Sequence, residues 1–312
     1  MTKQRALGAS GLTITPLVLG GNVFGYTADR AASFAVLDAF VDRGGTMIDT
    51  ADVYSAWVPG HVGGESETMI GEWLRASGKR EKLLIATKVG MMPGGLKPDT
   101  IERAVEGSLR RLGTDRIDLY FAHKDDAETP LDDVLAAFSR LLDAGKVRSI
   151  GASNYSALRL KAALDASKDA GLPHYTVLQP EYNLVSRRGF EGELQDLAVT
   201  HNIGVIPYYG LASGYLTGKY RSRDDLGKSV RGEAVAKYLD GKGPAVLTEM
   251  DRIAAETGAT LAQIALAWLA AQPGVTAPIA SATSVEQLEE LIGFLEIDLT
   301  PDQLDRLTVA GV

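Results

Sequence analysis

The chain has 312 residues, 45% of them hydrophobic and 23% charged, an ordinary composition with ample material for a large core. Its formal charge of −8, from 32 basic and 40 acidic residues, argues against a nucleic-acid or anionic-membrane partner, since both are held through Lys and Arg. With no Cys and no apolar stretch of about 18 residues, disulfides, thiolate chemistry, thiolate metal sites and membrane-spanning helices are excluded, and no metal site is expected.

The N-terminal MTKQRALGAS lacks the apolar core of a signal peptide, so a cytoplasmic location is expected. Residues 3–16 (KQRALGASGLTITP) read as a small hairpin. Ala-Ser-Gly supplies the turn, and Leu12 and Ile14 alternate with Thr13 and Thr15. From there one unit repeats: a short apolar run, a polar loop, an amphipathic helix and a Gly-rich stop. The runs are Leu17–Gly21, Thr46–Thr50, Leu83–Thr87, Ile117–Ala122, Val147–Ala152, Thr176–Gln179, Ile203–Tyr208 and Val275–Ala280. In the helix predicted over Ile101–Leu112, residues Ile101, Ala104, Val105, Leu109 and Leu112 share a face. Pro98 and Asp99 suit its first turn, and Gly113 stops it.

Eight strands, apolar on both faces and alternating with helices, predict a parallel closed sheet. The expected fold is α/β: a (β/α)8 TIM barrel over 1–312 as one domain, with the hairpin capping its lower end. The alternative, a doubly wound open sheet, would carry a GxGxxG fingerprint after an early strand, and none is present. Between the seventh and eighth runs lies a long loop, Gly210–Gly243, rich in Gly, Arg, Lys and Asp. Helices are expected after it, near 246–257 and 260–271. Thr300-Pro301-Asp302-Gln303 opens a last helix with a capping box.

In such a barrel, chemistry gathers at the C-terminal ends of the strands. Those ends read Gly20-Gly21-Asn22, Asp49 with Tyr54 beyond it, Lys88, His123, Ser153-Asn154, Gln179, Tyr208 and Ser281. Each has a bland reading alone. Asp49 serves as a loop cap, Lys88 as a solvated surface residue, Tyr54 and Tyr208 as packed aromatics. His123 serves as a structural residue, and Ser153-Asn154 as a helix start. Together they describe one polar pocket. Adjacent strands lie about 4.8 Å apart, so Asp49 and Lys88 are within reach, and a buried ammonium needs such a partner. A free phenol, with a pKa of about 10, is a weak acid at neutral pH, and a neighbouring ammonium is expected to lower that value. Asp49–Lys88–Tyr54 therefore reads as a tuned proton donor, with His123 to steady a carbonyl oxygen. Ser153, Asn154 and Gln179 suit a planar amide, and Tyr208 a flat heterocycle. Around Ser281–Gln287, capping boxes are available at Thr283–Glu286 and Ser284–Gln287, a helix start that suits a phosphate. Some of Lys219, Arg221, Arg223, Lys228 and Arg231 in the long loop are candidates to fold over a pyrophosphate. Candidate walls of a substrate pocket are Val23, Phe24, Tyr26, Trp57 and Val58.

The stretches RALGASGLTITPLVLGGNVFG, IDTADVYS, GGESETMIGEWL, ATKVG, IDLYFAHKDD, GKVRSIGASNYS, LQPEYNLVSR, GVIPYYGLASGYLTGKY and TSVEQLEE stand in that order. In order and spacing they resemble the aldo-keto reductase superfamily over almost the whole chain. The short connections are nearer its microbial and potassium-channel-β branches. The resemblance implies a (β/α)8 barrel that binds NADP(H) without a Rossmann fold and reversibly reduces an aldehyde or ketone to the alcohol. It implies Tyr54 as general acid, Lys88 and Asp49 as its tuning partners and His123 as the carbonyl-orienting residue. Ser153, Asn154, Gln179 and Tyr208 would hold the nicotinamide, with Gly21 and Asn22 beside them. Leu211, Ser213 and Lys219 would cover the pyrophosphate, and Ser281, Thr283, Gln287 and Glu290 the adenosine end.

Two positions depart from the family pattern. Leu291 stands where Asn is frequent, and no Arg or Lys occurs over Ser281–Gln287, which leaves NAD(H) as the alternative cofactor. A monomer acting on a small carbonyl compound is expected. Two other functions are compatible with the pocket. One is a redox-sensing regulatory subunit that holds the nucleotide and turns over slowly. The other is a barrel lyase or racemase in which Lys88 forms a Schiff base.

Overall fold

The computed structural model describes residues 3–229 and 231–312. The strands are β1 (Arg5–Ala6), β2 (Thr13–Ile14), β3 (Val18–Gly20), β4 (Met47–Asp49), β5 (Leu84–Val89), β6 (Ile117–Ala122), β7 (Val147–Ser153), β8 (Val177–Gln179), β9 (Gly204–Val205) and β10 (Ile279–Ala280). The helices are α1 (Arg30–Asp42), α2 (Glu65–Ser77), α3 (Pro98–Leu112), α4 (Leu131–Asp143), α5 (Ala157–Ala170), α6 (Glu193–Thr200), α7 (Gly232–Leu239), α8 (Gly243–Thr257), α9 (Leu261–Ala270), α10 (Val285–Ile292) and α11 (Pro301–Ala310).

β1 and β2 form the expected hairpin, with Arg5 opposite Ile14. The other eight strands are parallel, in the order β10-β3-β4-β5-β6-β7-β8-β9. The seam between β9 and β10 also closes. Val205 bridges Val275, Thr276 N–H donates to Val205 O at 2.8 Å, and Ile279 N–H donates to Pro207 O at 3.0 Å. The fold is therefore the (β/α)8 barrel. β9 and β10 are shorter than the apolar runs that contain them because Pro207 and Pro278 bring no N–H to the ladder. Their carbonyls still accept, Pro278 O taking the Val18 N–H at 3.0 Å.

Strand side chains alternate between the two faces. The inward row, including Val18, Met47, Ala86, Leu119, Phe121, Val177, Ile206 and Ile279, packs with Leu7, Leu12 and Ile14 of the hairpin. The hairpin thus plugs the lower end. Gly151 makes room inside: a Cβ there would lie 2.4 Å from the Phe121 ring. The outward row, including Leu19, Ile48, Ile85, Tyr120 and Ile150, packs against helix residues such as Val36, Ile70, Val105 and Phe138. Low in this layer sits Asp118, fully buried, accepting from Arg80 and Arg148 at 2.8 Å each and from the Ile85 N–H at 2.9 Å.

α3 starts at Pro98 and stops at Gly113 in the left-handed region, and α11 carries the capping box at Thr300. α8 and α9 are the helices expected near 246–257 and 260–271. The stretch Gly210–Gly243 is less irregular than its composition predicts. It contains α7, which buries Val235 and Tyr238 one helical turn apart. Among the described residues, no single helix is long and apolar enough to cross a membrane.

Candidate active site

The inward row sets the site by its period of two. Met47 leads to Asp49, Ala86 to Lys88, Phe121 to His123 and Val177 to Gln179, so apolar layers give way to polar ends at one mouth. Asp49 is paired in register with Ala86, not with Lys88. Lys88 stands one inward step higher and reaches back. Its Nζ donates to Asp49 Oδ2 at 2.7 Å, to Thr50 O at 2.7 Å and to Tyr54 Oη at 2.9 Å. Three acceptors around a fully buried nitrogen satisfy all three ammonium hydrogens. That arrangement suits a charged ammonium held in an ion pair more than a free amine poised to form a Schiff base. Tyr54 Oη lies 3.4 Å from Asp49 Oδ2. His123 packs edge-on to Tyr54 with ring centroids 6.0 Å apart, and its Nδ1 makes no hydrogen bond within the protein.

The electrostatics differ from expectation at the phenol. Burial first, and then the Asp49 carboxylate, push the Tyr54 pKa well above its ordinary value. Lys88 does not reverse this. Tyr54 therefore keeps its proton through the neutral range, as a loaded donor. Burial pulls the Lys88 ammonium below its usual range, against Asp49. Burial, and then Lys88, hold His123 well below the usual imidazole value, so its ring is neutral at pH 7.

Around the tetrad the polar rim residues hold one another. Gln179 Nε2 donates to Asp49 Oδ1 at 2.8 Å, fixing the carboxylate from the side opposite Lys88. Ser153 Oγ donates to Gln179 O at 2.8 Å. Asn154, left-handed with φ 57° as Asn tolerates, donates to His123 O at 2.9 Å and accepts from Tyr208 Oη at 2.7 Å. Tyr208 is half-buried, its ring pinned by that bond. Ser281 Oγ donates to Asn22 Oδ1 at 2.7 Å, joining the last strand end to the first. Gly21 is buried, and its N–H is used on Asp49 O at 2.7 Å.

At α10 the cap is Ser284, whose Oγ accepts from Gln287 N–H. The Gln287 side chain turns to Thr283 N–H at 2.9 Å and not to Ser284 N–H, so neither box expected at Thr283–Glu286 and Ser284–Gln287 forms in full. Gln287 and Glu290 are exposed, and Leu211 and Ser213 are half-buried. Of the loop cations, Arg221 is paired with Asp251, Arg223 with Asp240 and Lys228 with Asp225, each at 2.7 Å. Lys219 is exposed, its Nζ 5.0 Å from the centre of the Tyr220 ring.

The pocket walls need correction. Phe24 and Val23 are buried in the core, because the segment after β3 folds back on itself and Phe24 bridges Ala28. Tyr26 and Trp57 are exposed and meet edge to face at 6.4 Å, and Trp57 stands 6.1 Å from the Tyr54 ring. Val58 is half-buried.

The sequence model of the Aldo/keto reductase family matches residues 16–310. The chain belongs to that family. It is 36% identical over 315 residues to the Bacillus subtilis "Uncharacterized oxidoreductase YrpG", covering 96% of this chain and 93% of that one. It is 33% identical to the rice "Probable voltage-gated potassium channel subunit beta", covering 98% and 95%. It is also 33% identical to the Schizosaccharomyces pombe "Aldo-keto reductase yakc [NADP(+)]", covering 88% and 80%. An aldo-keto reductase is an oxidoreductase and generally uses NAD(P)H.

In this aldo-keto reductase, three site features lack a sequence signal. The Thr50 carbonyl is backbone. The Gln179–Asp49 bond spans 130 positions. The Tyr208–Asn154 bond joins two residues that composition alone assigns separately to the same ligand.

Proposed function

We propose that this chain is an NADP(H)-dependent carbonyl reductase in which Tyr54 is the proton donor. One observation carries the reading: a fully buried Lys88 ammonium holds the Tyr54 hydroxyl at 2.9 Å and the Asp49 carboxylate at 2.7 Å. The partner it implies is a small carbonyl compound, met as a monomer in the cytoplasm.

The rim chemistry fits a nicotinamide nucleotide. Ser153, Asn154 and Gln179 are short donor–acceptor groups on neighbouring strand ends, and Tyr208 offers a partly exposed ring tied to Asn154 through its hydroxyl. Leu211, Ser213 and Lys219 would lie along the phosphates, with Asn22, Ser281, Thr283, Gln287 and Glu290 toward the adenosine. With the long loop's Arg221, Arg223 and Lys228 committed to carboxylates, Lys219 and Arg231 are the named loop cations left to meet a 2′-phosphate. The reduced nicotinamide, when bound, supplies a hydride to the carbonyl carbon.

Tyr54 then donates its proton to the oxygen, where charge develops, and Lys88 stabilises the phenolate left behind. Gln179 and Lys88 together fix Asp49, which keeps Lys88 charged. His123, neutral, steadies the oxygen. Tyr26 and Trp57 offer apolar surface to whatever the carbonyl carries.

The test is oxidation of NADPH and of NADH against a panel of aldehydes and ketones, with fluorescence titration of both nucleotides. Turnover with NADPH and tighter NADPH binding are expected. Binding of neither nucleotide would end the proposal. The likeness to the rice chain favours a second reading, a nucleotide-holding regulatory subunit. A fast single turnover followed by very slow release would mark it.

A further inference from the structure

Behind the tetrad, on the helix side of β5, lies a second group of ionisable side chains that the proton-donor reading does not use. Asp52, between Asp49 and Tyr54, is only 7% exposed, and its Oδ1 makes no hydrogen bond. Its backbone N–H donates to Lys88 O at 3.3 Å, while Lys88 Nζ donates to Thr50 O at 2.7 Å. The segment that carries Tyr54 is thus fastened to both ends of Lys88. Thr87, the residue before Lys88, points to the helix side as Lys88 points inward. There Thr87 Oγ1 donates to Glu67 of α2 at 2.6 Å, and Arg111 of α3 donates to the same carboxylate at 2.7 Å. Glu67 is fully buried. Gly64, at the head of α2, makes the approach of Arg111 possible, since a Cβ there would lie 2.4 Å from Arg111 Nε. The charges facing Asp52 are Glu67 from α2, Arg111 from α3 and Lys88 from β5, and the phenol of Tyr120 from β6 feels Asp52, Glu67 and Arg111 in turn. The Tyr120 hydroxyl is buried and unpaired.

We propose that Asp52 is a positioning residue for the Lys88–Tyr54 pair: by gaining and losing a proton, its carboxyl changes the charge behind Lys88 and so the ease with which Tyr54 gives up its own proton. Burial, and then Glu67, push the Asp52 carboxyl up to about 7, against Arg111, the Val53 N–H and Lys88. Below that value Asp52 is neutral. Above it, a negative charge stands behind Lys88, part of the ammonium's field is cancelled, and the phenolate of Tyr54 is costlier to form. Carbonyl reduction then slows as pH rises through neutrality, while the reverse oxidation gains a stronger base. The consequence for rate rests on the reductase reading; the titration of Asp52 does not.

Two measurements separate these. Infrared difference spectra of the nucleotide-free protein, titrated across neutrality with isotopically labelled aspartate, should show a protonated-carboxyl band that is lost with a midpoint of about 7. Asp52→Asn should abolish it, and Glu67→Gln should move the midpoint to lower pH. The single-turnover rate of NADPH oxidation should fall across the same midpoint in the wild type and stay level there in Asp52→Asn. Absence of the aspartate band overturns the inference. So do superimposable pH profiles, even with a uniformly slower variant, because that is what a purely structural role produces. Should Asp52→Asn fail to fold, the labelled wild-type band and its midpoint still decide. If no form reduces any carbonyl, the reductase reading fails, and the infrared midpoint still judges the titration.

Discussion

Replacing Lys88 by Met removes one partner of a buried ion pair while nearly keeping the side-chain volume. The Nζ hydrogen bonds at 2.7, 2.7 and 2.9 Å go with it. Asp49 keeps only Gln179 at 2.8 Å and the long Tyr54 contact at 3.4 Å. A buried carboxylate deprived of its cation costs about 3–5 kcal/mol, most of it the desolvation of the charge left behind. Removing that charge as well should return much of the loss. The double variant Lys88→Met with Asp49→Asn is therefore expected to sit about 2–3 kcal/mol above the sum of the two single changes. Equilibrium urea unfolding of the four proteins at neutral pH measures the cycle. A single Lys88→Met loss below about 1 kcal/mol, with strictly additive changes, would refute the claim that the pair is a buried, mutually dependent unit.

Three further outcomes follow from the same structure. Ser55 is fully buried at φ 74° with an unpaired hydroxyl, so Ser55→Gly relieves both and should raise stability by about 1 kcal/mol; an unchanged or lower melting temperature contradicts this. Asp118→Ala leaves Arg80 and Arg148 without their shared carboxylate and the Ile85 N–H without an acceptor, a loss of about 3 kcal/mol readable as a lowered unfolding midpoint. Asp52 binds its proton more tightly folded, at about 7, than unfolded, at 3.8. Wild-type stability should therefore fall as pH rises between those values, by up to about 4 kcal/mol, and level off above them. Thermal scans of Asp52→Asn should lack that slope, and a parallel pH dependence would count against the buried carboxyl.

The barrel was legible because a parallel strand buried on both faces leaves an uninterrupted apolar run, and each run ends where the lumen opens. Period-two alternation carried Asp49, Lys88 and His123 to one mouth, which is why a lysine that reads as solvated in isolation is fully buried here. Other features depend on contacts that no local pattern encodes. Phe24 reads as a pocket wall, but the segment after β3 doubles back and puts it in the core. α7 carries little local signal because Gly, Lys and Arg dominate its surroundings, while its buried positions are Gly232, Val235 and Tyr238 alone among its eight residues. The direction of the Tyr54 shift cannot be read from the sequence for a related reason. The ammonium is one residue of the sequence, whereas the burial that outweighs it is a property of the whole cleft.

The Tyr54 hydroxyl, held by Lys88, is the proposed source of the proton. The most direct test of that role is the single-turnover rate of NADPH oxidation in Tyr54→Phe, using the best aldehyde from the panel, beside fluorescence titration of the nucleotide. A rate lower by about 10²–10⁴-fold, with nucleotide affinity nearly intact, is expected. A variant that oxidises NADPH at the wild-type rate would contradict that role.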